Sequence, residues 1–227
     1  AAALAAAVKR GWCDMDDGYR AAALSGLEAA ATGAQGAPAA ASALAALSAV
    51  VSEFAPATAS PLGKPWEWHD ACRASLQEGW LPRLWSVAAA AAASPSSAPG
   101  ALDLASTVLA WDWAPPHAPA GGYGGGRPAC GDGAAKPGVA LRAALAAPGG
   151  VDWAFSAAAA VDPTSDVATA ARQLVVLLAG IDWGGDPVGP RAASAAFACS
   201  LAWASPPPAA IAAADAGRDG GALIDAC

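Results

Sequence analysis

Asparagine is absent from the 227 residues, isoleucine is confined to Ile181, Ile211 and Ile224, and lysine to Lys9, Lys64 and Lys136. Without asparagine there is no N-glycosylation sequon. Residues with AT-rich codons are scarce together, while Ala, Gly, Pro, Arg and Trp are plentiful together. Alanine makes up close to a third of the chain, and on this pattern it reads as the mark of a GC-rich genome, not as a functional low-complexity tract. Runs of β-branched residues with period-two alternation do not occur. The nearest, Leu174-Val175-Val176-Leu177-Leu178, lies inside a longer helical pattern, which argues against a strand-built fold. No apolar run reads as long as the roughly 18 residues of a membrane-spanning helix. Ala1 to Val8 has neither the basic region nor the length of a signal peptide. The first residue is not methionine and falls within a helical stretch, so the chain is expected to be a fragment. A soluble, intracellular protein is expected.

The five cysteines, Cys13, Cys72, Cys130, Cys199 and Cys227, are odd in number, scattered, and form no C-x-x-C. Reduced, isolated thiols in a reducing compartment are expected over a disulfide framework. The formal charge of −7 disfavours a nucleic-acid surface. It leaves open an acidic face for a basic protein partner, beside the plainer reading of solubility.

What the sequence has in abundance is helix. Alanine is the best helix former and loses no side-chain entropy, and Gly and Pro clusters cut the chain into pieces of helical length. Helices are expected near 1–10, 19–32, 38–54, 66–78, 80–93, 100–112, 137–147, 150–161, 165–180, 190–204 and 207–226. Leu44, Leu47, Val50, Val51 and Phe54 share one helical face, as do Leu81, Leu84, Trp85 and Val87, and Leu174, Leu177, Leu178 and Ile181. Asp166 precedes the last of these stripes, where the helix dipole favours an acid. Two breaks are long: residues 55–65, and residues 114–136 with Gly-Gly-Tyr-Gly-Gly-Gly, the latter expected to be a flexible surface insertion without regular structure over 117–135. The chain thus divides into helix pairs over 1–113, a Gly/Pro-rich loop over 114–136, and further helix pairs over 137–227. Helix pairs recurring at intervals of about 40 residues suggest an all-α fold, a HEAT or armadillo-like α-solenoid, with a compact bundle of the same helices as the alternative.

Chemistry is sparse. The densest polar and aromatic run is Trp66-Glu67-Trp68-His69-Asp70-Ala71-Cys72-Arg73. On a helix His69 and Cys72 share a face, which suits a metal or a Cys–His couple. A zinc site needs two further ligands, no second pair exists, and His117 is alone in its loop, so packing is the stronger reading. Gly121 to Gly126 lacks the spacing of a dinucleotide-binding turn, and Gly63-Lys64 is followed by Pro65 where a phosphate-binding loop needs Ser or Thr. There is no G-x-S-x-G elbow. The acid pairs Asp16 and Asp17, and Asp103 and Asp112, read as helix-end or solvated groups. No catalytic, cofactor-binding or metal-binding residue is assigned, and an enzyme is not expected. Of the ten Trp, the pairs Trp66 and Trp68, Trp80 and Trp85, and Trp111 and Trp113 fall at or near expected helix ends. There large side chains fill gaps between alanine-lined helices and can also anchor interfaces.

Several strings, in order, resemble the amino-terminal third of the exportin-4 family of nuclear export receptors, within the importin-β superfamily. Val8-Lys9-Arg10-Gly11 resembles the end of an early helix. Leu47-Ser48-Ala49-Val50-Val51-Ser52-Glu53-Phe54 resembles a Leu-rich helix ending in Ser-Glu-Phe. Leu62-Gly63, then Glu67-Trp68-His69 with Cys72, resemble the family's Gly-Leu and Glu-Phe-His with its following Cys, Trp68 standing for Phe. Val108-Leu109-Ala110-Trp111-Asp112-Trp113-Ala114-Pro115-Pro116 resembles Val-Leu-Ser-Trp-Asn-Phe-x-Pro-Pro. Asp166-Val167-Ala168 with Ala171, Gln173, Leu174 and Leu177 resembles a helix beginning Asp-Met-Ala.

The resemblance spans about residues 5–185. It implies tandem HEAT helix pairs, and a non-enzymatic receptor that shuttles between nucleus and cytoplasm through the nuclear pore. It also implies as partners the GTP form of the small GTPase Ran, protein cargo and nuclear pore proteins, without nucleic acid, membrane or cofactor. The family protein is several times longer, and its Ran-contacting repeats correspond to sequence before Ala1. No Ran- or cargo-contact residue therefore transfers to a numbered position. A Ran-independent α-solenoid scaffold is the alternative function, and a small helical enzyme using His69 and Cys72 the third.

Overall fold

The computed structural model describes residues 2–12, 14–33, 36–55, 65–111, 137–161, 165 and 167–181. Among these there is no strand; the chain forms α1 (Ala2–Trp12), α2 (Asp17–Thr32), α3 (Ala37–Phe54), α4 (Trp66–Ser75), α5 (Leu81–Ala92), α6 (Ala98–Leu109), α7 (Val139–Ala146), α8 (Asp152–Ala160) and α9 (Val167–Ala179). The expected helices up to residue 180 are each met by one of these. Those at 190–204 and 207–226, Asp166, and the insertion at 114–136 lie outside the described residues, as do residues 56–64 of the first long break.

Local chemistry explains the boundaries. Asp16 caps α2, its side chain accepting from the Tyr19 N–H at 2.8 Å, which satisfies one of the donors left open at a helix start. Pro38 and Pro99 sit in the first turns of α3 and α6, where a missing N–H costs nothing. The break expected between 78 and 80 is not a break. Residues Leu76–Trp80 form a π turn that carries α4 into α5, with the Leu81 N–H reaching back to the Leu76 carbonyl. A proline at 82 withholds a donor from the carbonyl four residues earlier and its ring crowds that carbonyl. Widening the turn relieves both strains while the helix continues.

The apolar stripes form the core. Leu44, Leu47, Val50, Val51 and Phe54 of α3, and Leu81, Leu84, Trp85 and Val87 of α5, are all buried, as are Leu174, Leu178 and Ile181. Leu177 is only partly buried. At 18 residues α3 is long and apolar enough by length and composition to cross a membrane, with half of that span buried inside the protein. This corrects the expectation that no apolar run attains that length. The serines at 42, 48 and 52 break the run to the eye, but alanine carries its mean hydropathy; the buried stripe is that of a core helix.

The helices meet in an ordered way. α3 packs against α1 and α6, and α6 against α9; beside them α5 packs against α2 and α8. Across the two series α2 packs on α3, α5 on α6 and α8 on α9. Among the described helices that pack substantially, none is more than three places from its partner in chain order. The packed pairs begin at Asp17, Leu81 and Asp152, 64 and 71 residues apart. This is wider than the expected 40, because α4 with its π turn, and α7 with the segment before it, are interposed. Gly100 lets α6 come close to α3: a Cβ there would stand 3.1 Å from Leu44 Cδ1.

Candidate functional site

A cleft of about 380 Å³ opens between α1, α2 and the stretch from α4 into the π turn. Arg20 on α2 builds its upper wall. The guanidinium donates to the carbonyls of Met15 and, at 3.4 Å, Trp12, and it pairs with Asp17 at 2.5 Å. It therefore caps the end of α1, where the carbonyls carry the negative end of the helix dipole, and fixes the angle between α1 and α2. The same guanidinium lies 5.6 Å from the centre of the Trp68 ring. On α4, Trp68, Ala71, Cys72, Ser75 and Leu76 follow the three- and four-residue spacing of one face, and all line the cleft with Trp80 beyond them. Trp12, Leu24, Cys72 and Leu76 are buried at its base, while Trp68 and Trp80 are half-buried.

His69 and Cys72 lie three residues apart on α4. The His69 ring is wholly buried and stacks on Phe54, 5.7 Å between centroids, whereas Cys72 lines the cleft and is 8% exposed. Phe54 is a hub, also meeting Trp12 at 6.4 Å and Trp68 at 5.9 Å. Among the described residues no group of three or more His, Cys, Asp and Glu is placed to hold a metal ion. His117, Gly121 to Gly126 and Gly63-Lys64 lie outside the described residues, as does Asp112. Asp103 is exposed on α6. Cys72 is not in a disulfide; the other four cysteines fall outside the described residues.

The Trp residues divide by role. Trp85 is buried and donates from Nε1 to the Gly150 carbonyl at 2.7 Å, with Trp153 5.0 Å from it. This pair locks the turn between α7 and α8 onto α5. Trp111, also buried, receives the Arg73 guanidinium 4.8 Å from its ring centre. Trp80 carries Arg83 over its ring at 4.4 Å, and Arg83 pairs with Glu28 at 2.6 Å. Sequence reasoning missed Arg73 and Arg20 as organising residues. Arg73 is 3% exposed and donates to the carbonyls of Phe54 and, at 2.6 Å, Ala55, closing the end of α3. The available signal was an arginine one turn past His69 on the face that fills the core. Comparison with protein-family models, curated proteins and solved structures finds no match.

Proposed function

We propose that the chain is a HEAT-type α-solenoid segment of an exportin-4-like nuclear transport receptor, acting by binding proteins and not by catalysis. One observation carries the structural half of this reading. The helices α1, α3, α6 and α9 contact one another in series, as do α2, α5 and α8, and the packed pairs form the rungs between the two series. That is how repeat proteins stack, each unit burying its apolar face on its neighbours. The functional half rests on the collinear strings from Val8-Lys9-Arg10-Gly11 to the helix around Leu174. On this reading the receptor takes protein cargo with Ran in its GTP form, passes the nuclear pore by contact with pore proteins, and shuttles between nucleus and cytoplasm. Binding Ran and cargo on one scaffold couples their affinities, so GTP hydrolysis releases the cargo.

Pull-down of the full-length protein on immobilised Ran tests this. Retention by Ran loaded with GTP and not GDP is the expected result. Equal retention on both, or none on either, removes the export reading and leaves a Ran-independent helical scaffold.

A further inference from the structure

We draw no further inference here: the strongest candidate, the cleft between α1, α2 and the stretch from α4 into the π turn, carries none, because the one carboxylate among its described lining residues, Asp17, is paired with Arg20 of the same wall, its Trp68 and Trp80 rings are met by Arg20 and Arg83 from within the chain, and nothing in the structure shows what covers the rest.

Discussion

Arg73 occupies a place where a charge would ordinarily be costly. It is 3% exposed, and its guanidinium closes the carbonyls of Phe54 and Ala55 at the end of α3 while lying over the Trp111 ring. The negative end of the α3 dipole and the π face together replace the water it lost. Arg73→Met keeps most of the stem but strands the buried carbonyls, and is expected to cost about 2–4 kcal/mol. Arg73→Lys, with one point charge in place of a planar fork, should cost less. Urea unfolding midpoints at unchanged slope would measure both; an Arg73→Met midpoint equal to the parent would sink this account of α3. Glycines offer a second residue-scale contrast. A Cβ at Gly150 would stand 2.4, 2.5 and 2.8 Å from the carbonyl oxygens of Ala144, Leu145 and Ala147, whereas one at Gly26 in α2 meets nothing within 4 Å. Gly150→Ala should therefore destabilise by about 2 kcal/mol or more, and also loosen the carbonyl that Trp85 grips. Gly26→Ala should stabilise by about 0.5–1 kcal/mol through helix propensity. Paired thermal melts give the two signs directly.

At the scale of elements, spacing between helices is set by small residues as much as by large ones. Gly100 stands at the contact of α6 with α3, its missing Cβ 3.1–3.2 Å from Leu44 atoms. Gly100→Leu must push the two helices apart or force Leu44 off its rotamer, at about 1–3 kcal/mol, and should lower the melting temperature more than Gly79→Leu in the open π turn, where nothing lies within 4 Å. Most of the helix map was legible because Gly and Pro clusters and apolar stripes are local signals, as the break after Phe54 and the Leu44 to Phe54 stripe show. The π turn was not, because a proline in a helical pattern reads equally as a stop, and only the continuation of Trp80 into Leu81 decides between stop and wide turn. The packed pairs recur at 64 and 71 residues, wider than the expected 40, because α4 and α7 are interposed between them and nothing local in the sequence marks which neighbours pack. The cleft was half legible. Trp68 and Cys72 drew notice by their density, but Arg20 and Asp17 come from a segment some 50 positions earlier in the chain, and nothing in the run around His69 points to them.

For the whole molecule the packing pattern has a mechanical consequence. Among the described helices each substantial contact joins helices no more than three places apart, and α9 meets α6 and α8 while α1 and α2 lie at the other end of the two series. On the proposed solenoid reading, structure lost at one end should leave the other end largely intact, because stability in a repeat stack is a sum of unit and neighbour terms. Leu174 is fully buried on α9, and Leu174→Ala removes roughly 2–5 kcal/mol of packing there. Amide hydrogen exchange should show protection falling about 30-fold or more in α9 and in part of α8, with α2 and α3 nearly unchanged. A compact bundle with one cooperative core predicts otherwise, since every helix would lose the same protection in a single global opening. A uniform loss across α2, α3 and α9 would therefore remove the solenoid reading. It would leave intact the local accounts of Arg73 and Gly150, which depend on their immediate neighbours and not on how the rows extend.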